Sequence, residues 1–373
     1  MEQIINIAKS LFEKNNFQGA IDTCNQILAK DVNSTEALKL IAKSFLATRK
    51  IEESRLSLNK VLNIKPDDYE AMKDLGNTYQ AVGDSNTAKN YYQKAISINA
   101  NYASALTNLG SIELSTGNKK EGLSLLIKAT ESEPKLLPAW SNLTNAYIQL
   151  GKIQEAEKSC RKAIEINPNL FNSHFLLARI LIGQKKFEEA EESLRQTIQI
   201  NPTFFEGHLN LGVVLKDLGK TKEAELSTRK AIEIRPNLAE TYDNLGTILM
   251  ELGRIKEAEI STRKAIELKP NFANAHNNLG SILTAIGKLK EAEISLRKAI
   301  ELNPNLVQAY YNLSITLKDL GKLKEAEMLT RKAIEINPDY AEAHSSLGSI
   351  LIKLGKLEEA EISLSPAIVL KPG

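Results

Sequence analysis

The sequence has little cysteine, no excess of one charge and no long apolar run. Its 373 residues include two cysteines, and 48 Lys and Arg against 46 Asp and Glu give a net charge of +2. This balance does not favour nucleic acid or an anionic membrane as a partner. No apolar run approaches the roughly 20 residues that span a bilayer. The start, MEQIINIAKSLFEK, does not resemble a secretory signal, so we predict a cytoplasmic protein.

Catalytic signatures are missing as well. The sequence contains no HExxH, P-loop or GxSxG motif and no spaced pair of CxxC motifs. These motifs are typical of zinc hydrolases, phosphate-binding loops, acyl-transfer enzymes and structural zinc sites, respectively. We therefore predict that the chain is not an enzyme and that it has no catalytic, cofactor-binding or metal-binding residues.

Proline recurs with a period of 34 residues. Nine prolines stand at positions 66, 134, 168, 202, 236, 270, 304, 338 and 372, and Ala100 occupies the one vacant position. The period predicts eleven repeats that start at residues 1, 35, 69, 103, 137, 171, 205, 239, 273, 307 and 341. Positions within a repeat are called places 1 to 34 below. We expect one continuous solenoid domain over residues 1–373.

Each repeat is predicted to form a pair of antiparallel helices. In the repeat that starts at Ala239, apolar and small residues recur at three- and four-residue steps up to Leu252, which is typical of a first amphipathic helix, helix A. Gly253 suits a left-handed helix stop. A second helix, helix B, is predicted from about Lys256 to Leu268, before Pro270. Small residues at places 8 and 20 are expected to let the two helices approach closely.

The cysteines and histidines follow the repeat. Cys24 and Cys160 both occupy place 24, in repeats too distant for a disulfide, so we expect buried reduced thiols. Metal ligands must converge on one ion, whereas residues of different repeats are spread along a solenoid. All four histidines occupy place 4 and are therefore expected to pack rather than to bind metal: His174, His208, His276 and His344.

The repeats resemble tetratricopeptide repeats. One repeat carries most of that family's pattern, with Thr144 at the glycine position and Cys160 at the aromatic one; the matching residues are Trp140, Leu143, Tyr147, Ala156, Ala163 and Pro168. The resemblance implies an all-α fold, a right-handed α-solenoid (superhelix) of antiparallel helical hairpins, in which helices A line a concave groove. It also implies a scaffold that binds a peptide or a partner protein and has no chemistry of its own.

Place 6 of helix A is the predicted binding position. It is repeatedly asparagine, and we call this set, together with the nearly isosteric Asp74, the asparagine ladder: Asn108, Asn142, Asn210, Asn244, Asn278 and Asn312. Asparagine is a mediocre helix former, so its return needs a reason. A carboxamide donates and accepts, and it can hold a peptide backbone without reading side chains. The resemblance favours this hypothesis, since asparagines at this place line the groove in the tetratricopeptide region of the O-linked N-acetylglucosamine transferases.

The ladder is also compatible with two roles that involve no ligand. The amides could form hydrogen bonds between repeats that fix the angle of the helices, or they could be inherited from recent duplication, because repeats 7 to 10 are very alike. Repeat 6 interrupts the ladder with Leu176 and adds Phe175 and Arg179 nearby. This apolar patch is interpreted as a pocket for one ligand side chain, as a self-association surface or as sequence drift without a function.

Two further uses of the scaffold match parts of the sequence. Lys73, Asn77 and Asn108 match the first positions of the clamp that holds chaperone C-termini, but Pro138 and Asn142 stand where that clamp needs basic residues. The chain could also be the substrate-recruiting arm of a larger enzyme such as a glycosyltransferase. The last repeat has no polar capping helix after it, so self-association through the C-terminal flank, or further chain beyond Gly373, is expected.

Overall fold

A computed structural model describes the backbone of residues 2–370 and the side chains of residues 2–364. Within these residues the chain forms twenty-two α-helices and no strand, so the all-α prediction is confirmed. The helices are α1 Glu2–Glu13, α2 Phe17–Leu28, α3 Thr35–Ala47, α4 Ile51–Ile64, α5 Tyr69–Ala81, α6 Ser85–Ile98, α7 Ala103–Ser115, α8 Lys119–Ser132, α9 Leu137–Gln149, α10 Ile153–Ile166, α11 Phe171–Gly183, α12 Phe187–Ile200, α13 Phe205–Asp217, α14 Thr221–Ile234, α15 Ala239–Glu251, α16 Ile255–Leu268, α17 Ala273–Ala285, α18 Leu289–Leu302, α19 Val307–Asp319, α20 Leu323–Ile336, α21 Ala341–Lys353 and α22 Leu357–Leu370.

The helices pair as predicted. Odd-numbered helices are helices A, and from the second repeat onward each begins at the first residue of its repeat. In repeats 1 to 5 and 7 to 11 helix A packs against the even-numbered helix B that follows it. By contacts the chain divides into two compact parts, Met1–Ile180 and Leu181–Gly373, called here the N-terminal and C-terminal halves. The single solenoid domain over residues 1–373 stays a prediction.

The turn between helices A and B needs a left-handed residue at place 15. Eight glycines occupy it with φ between 69° and 94°, Gly253 among them at 74°. The repeats without this glycine place Asn15, Arg49 and Lys185 there, all with φ near 60°. A side chain is unfavourable in this conformation, so the turn geometry is imposed by the packing of the two helices even where the residue does not suit it.

Small residues bring helices A and B together, as predicted. Ala258 at place 20 is fully buried. A Cβ added to Gly246 at place 8 would lie 2.2 Å from the Thr262 Oγ1 atom, and one added to Gly280 would lie 2.4 Å from Leu296. The close approach therefore joins place 8 to place 24, the place that also holds the two cysteines.

Each half curves towards its helices A. In the C-terminal half α15 contacts α17 and α17 contacts α19, and in the N-terminal half α7 contacts α9. Successive helices B of the described residues make no comparable contacts with one another. Because spacing is shorter on the A side of a stack, helices A lie on its inner face and helices B on its outer face.

The outer face carries ion pairs within and between repeats. Arg263 contacts Glu259 at 2.8 Å in its own helix, as the i,i+4 spacing predicts. It also contacts Glu291 of the next repeat at 3.1 Å, and Lys288 of that repeat contacts Glu259 at 3.3 Å. The same three contacts recur at the other junctions from repeat 6 to repeat 11. None of the helices that the structure describes has the length and apolar character to cross a membrane.

Candidate functional site

The asparagine ladder lies on the inner helices. Its six asparagines are half-buried, and Asp74 is buried with 4% of its surface exposed. Side chains at places 5 and 9 of the same helices lie beside them. The hydrogen bonds that the amides form with these neighbours differ between the two halves of the chain.

In the N-terminal half the ladder amides donate to place 9 of the preceding repeat. Asn108 Nδ2 donates to Asn77 Oδ1 at 2.8 Å, and Asn142 Nδ2 donates to Ser111 Oγ at 2.8 Å. These bonds fix how each helix A sits against the previous one. They are the kind of contact that a structural role of the ladder requires.

In the C-terminal half two amides donate to place 5 of the preceding repeat instead. Asn278 Nδ2 donates to the Asp243 carboxylate at 3.0 Å, and Asn312 Nδ2 donates to Asn277 Oδ1 at 2.9 Å. Only 6% of Asp243 is exposed. Burial raises the pKa of the Asp243 carboxyl, and the hydrogen bond from Asn278 opposes that rise.

The remaining ladder groups keep hydrogen-bonding capacity. Asn210 Nδ2 donates to the Glu206 carbonyl of its own helix at 2.7 Å. The side chain of Asn244 has no hydrogen-bond partner among the described residues, and none of these residues donates to the side-chain carbonyls of Asn142 and Asn312. Asn142 and Asn312 thus offer acceptors that a donated N–H orients, whereas both the donor and the acceptor of Asn244 are unused among the described residues. Ligand binding by the ladder stays a prediction.

The side chains that match the chaperone clamp are engaged with one another. Lys73 Nζ contacts the Asp74 carboxylate, which also lies 3.8 Å from Lys43 Nζ. Asn77 Oδ1 accepts from both Asn108 and the Tyr92 hydroxyl, the latter at 2.8 Å. The lysine that would meet a terminal carboxylate therefore already has an anionic partner.

The patch of repeat 6 lies on α11. Phe175 and Leu176 are half-buried, and Arg179 is exposed. Phe175 and Arg179 are four residues apart and share a helix face. Both uses predicted for this patch, a side-chain pocket or self-association, stay predictions. The final residues of the C-terminal flank, with which a second self-association surface was predicted, lie outside the described side chains.

Place 4 has a role that the sequence pattern alone did not predict. Each histidine Nε2 lies 2.8–2.9 Å from the carbonyl of the proline six residues earlier, and Trp140 Nε1 donates to the Pro134 carbonyl at 2.9 Å. The bonds tie the start of one repeat to the end of the preceding one. Ring N–H groups at place 4, six residues after the proline position, are the signal that could have revealed this.

The cysteines are free and buried, as predicted. Burial raises the pKa of Cys24 to about 11 and that of Cys160 to about 12, so both thiols stay protonated at neutral pH. Among the described residues no three His, Cys, Asp or Glu side chains are grouped closely enough to hold a metal ion.

Comparisons with known proteins identify the repeat type. Residues 19–278 match the sequence model of the cilia and flagella-associated protein 70 C-terminal domain, a tetratricopeptide-repeat model. Tetratricopeptide-repeat models also match residues 273–306, 295–328 and 329–362. No curated protein matches the sequence.

The chain resembles several solved structures. The crystal structure of the APC/C hetero-tetramer Cut9–Hcn1 superposes with a TM-score of 0.57 at 12% identity, over 98% of this chain and 93% of that chain. YrrB, described as a TPR protein with an unusual peptide-binding site, has a TM-score of 0.41 at 26% identity over 50% of this chain and 96% of its own. Yeast Tom70 has a TM-score of 0.48 at 15% identity, over 100% of this chain and 92% of its own. The chain belongs to the tetratricopeptide-repeat proteins and, over residues 19–278, to the family of the cilia and flagella-associated protein 70 C-terminal domain.

Proposed function

We propose that the protein is a non-catalytic, cytoplasmic scaffold that binds an extended peptide or a segment of a partner protein along the inner face of its helices A. Membership of the tetratricopeptide-repeat proteins supports a scaffold. One crystal structure that shares the fold is that of a protein assembly, the Cut9–Hcn1 hetero-tetramer.

The observation that carries the peptide proposal is that a ladder amide donates to the preceding repeat while its side-chain carbonyl accepts no hydrogen bond from the described residues. The N–H groups of Asn142 and Asn312 are used between repeats, and this fixes the orientation of each side chain. Their carbonyl oxygens are left to accept from a ligand. An extended peptide presents backbone N–H groups at regular intervals, so it can donate to such an oriented acceptor in either half of the chain.

Inter-repeat bonding and ligand binding are compatible under this proposal. An acceptor that is already oriented loses less entropy when a ligand binds than a freely rotating one. Asn244, whose side chain has no partner among the described residues, is then free to bind with both its donor and its acceptor.

The test uses a displayed library of extended peptides selected on the wild-type chain and counter-selected on an Asn244→Ala, Asn312→Ala variant that circular dichroism shows to be folded. Selected peptides are then resynthesised with single backbone N-methyl groups. We expect N-methylation at some positions to weaken binding about tenfold or more, because each removes one N–H that a ladder carbonyl accepts. Peptides that bind wild type and variant equally, or that tolerate N-methylation everywhere, would refute the proposal.

A further inference from the structure

The outer face of repeats 7 to 10 carries a row of exposed aliphatic side chains. They occupy place 22 of helices α14, α16, α18 and α20, and we call them the aliphatic row: Leu226, Ile260, Ile294 and Met328, exposed by 71%, 70%, 70% and 68%. In repeats 3 to 6 the same place is polar: Asn90, Ser124, Lys158 and Glu192. Ile362 in repeat 11 and Leu56 in repeat 2 are also exposed at place 22, but those repeats have a glutamate, not a lysine, at place 18. Single exposed apolar residues are common on protein surfaces, but an aligned set in consecutive repeats marks an interaction surface.

A row of lysines runs beside the aliphatic row. Place 18 lies four residues earlier on the same helix face, and we call its residues the lysine row: Lys222, Lys256, Lys290 and Lys324. All four are exposed, and none forms an ion pair or side-chain hydrogen bond within the described part of the chain. The arginines of these helices differ, since Arg263 already contacts Glu259 and Glu291. The face therefore keeps one unneutralised cation per repeat next to each exposed aliphatic side chain.

A cleft of about 720 Å³ opens on the same face, between α14 and α16. Ile232 and Ile260 are among its wall residues, and Tyr242, Leu245 and Leu249 of α15 contribute to its floor. Charged residues, Arg229 and Glu257 among them, complete its lining. An apolar cleft with a polar rim can receive an aliphatic side chain of a ligand, and Ile260 belongs to both the cleft and the aliphatic row.

The curvature of the C-terminal half selects the occupant of this surface. Helices B lie on the convex outer face of the stack, so a flat bilayer or an equally curved second copy would not follow the aliphatic row along its length. A flexible segment can follow all four. The lysine row requires that this segment be acidic, and the aliphatic row with its cleft requires that it carry aliphatic side chains.

We infer that the outer face of repeats 7 to 10 is a second binding surface, for a flexible acidic segment of a protein with regularly spaced aliphatic residues. In a polyproline II conformation, which has three residues per turn, aliphatic side chains at every third position share one face of the segment and can meet successive members of the aliphatic row. The surface lies on helices B, and its binding is therefore separable from that proposed for helices A.

The probe is a fluorescein-labelled 18-residue peptide of six Leu-Glu-Glu units, with a Ser-Glu-Glu peptide of equal charge as its control. Three variants of the full chain are compared with wild type by fluorescence anisotropy. The first changes Leu226, Ile260, Ile294 and Met328 to Ser, a residue that Ser124 already places there in repeat 4. The second changes Lys222, Lys256, Lys290 and Lys324 to Gln. The matched control changes Lys162, Lys230, Lys298 and Lys332 to Gln, since each of these is already paired with a glutamate of its own helix at 2.6–2.7 Å, and it leaves Lys264, which lines the cleft, unchanged.

We expect wild type to bind the leucine peptide about tenfold or more tightly than the serine peptide, and each row variant to lose about tenfold in affinity. The control variant should change affinity less than about threefold. The salt dependence of binding should weaken in the lysine-row variant alone.

Three results would overturn the inference. Wild type could bind the two peptides equally or not at all. Sedimentation could show a wild-type dimer that the aliphatic-row variant loses, which would identify a second copy as the occupant. Flotation with phosphatidylserine-containing vesicles could retain wild type but neither row variant, which would identify a membrane surface instead.

Discussion

The hydrogen bond from Asn278 to Asp243 gives the most direct test of what the ladder amides do for stability. An Asn278→Ala change leaves a carboxylate that is only 6% exposed without its inter-repeat donor. Losing the partner of a buried charged group costs about 1–3 kcal/mol, so we expect the free energy of unfolding at pH 7 to fall by that amount. An Asn244→Ala change should cost less than about 0.5 kcal/mol, because the Asn244 side chain has no partner among the described residues.

The decrease in the free energy of unfolding caused by Asn278→Ala should change with pH in one direction. Burial raises the pKa of Asp243 in the folded state above its ordinary value of 3.8, and removing Asn278 raises that pKa further. A carboxyl whose pKa is higher in the folded than in the unfolded state adds to the free energy of unfolding at low pH. This contribution decreases as pH rises above the unfolded pKa, and it is lost as pH rises through the folded pKa. The deficit of Asn278→Ala should therefore be largest near pH 7 and shrink towards pH 4, by no more than about 1.4 kcal/mol per pH unit.

Urea unfolding followed by circular dichroism at pH 4, 5, 6 and 7 measures both effects. Asp243→Asn supplies the control, since it reproduces the neutral Asn312–Asn277 contact of the next repeat and removes the buried charge. In that background Asn278→Ala should cost less and should lose its pH dependence. Equal costs for Asn278→Ala and Asn244→Ala, or a deficit that grows as pH falls, would refute the reasoning.

Three further predictions concern the packing of single repeats. Lys185→Gly should raise the free energy of unfolding by about 0.5–1 kcal/mol in urea unfolding, because φ at Lys185 is 59°; no gain would mean that the turn is not strained. Gly246→Ala should lower it by about 1–3 kcal/mol, since the new Cβ would meet the Thr262 hydroxyl, and Thr262→Ala should recover much of the loss; equal losses in both backgrounds would contradict this contact. Cys160 should resist a thiol-reactive dye at pH 8 until the protein unfolds, because burial raises its pKa to about 12, and labelling of the native protein at the rate of a free thiol would show otherwise.

The hairpins could be predicted from sequence because their limits are set by local chemistry. Pro270 cannot continue a helix and Gly253 adopts φ of 74°, and the structure ends α16 at Leu268 and turns at Gly253 accordingly. Even the repeats that lack this glycine form the same turn, at Arg49 and Lys185. In these repeats the 34-residue period predicts the turn, although the residue at place 15 does not.

The contacts of the ladder could not be predicted in the same way. Asn108 and Asn312 occupy the same place, yet one donates to place 9 and the other to place 5 of the preceding repeat. The choice depends on which polar side chain the neighbouring helix brings within about 3 Å, and that distance is set by the packing of two helices rather than by either sequence alone. The hydrogen bonds from place 4 to the proline carbonyls could not be predicted for the same reason, since they also depend on how two helices pack.

The ion pairs of the outer face are unchanged by a shift of one whole repeat. If residues 239–272 were removed, Arg229 would meet Glu291, and Lys288 would meet Glu225, in the pairing that each charge already has. Loss or gain of a complete repeat in this region thus leaves no unmatched charge among these outer-face pairs. The number of repeats can therefore change by recombination without leaving an outer-face charge unpaired, and with it the length of the segment that the protein can hold.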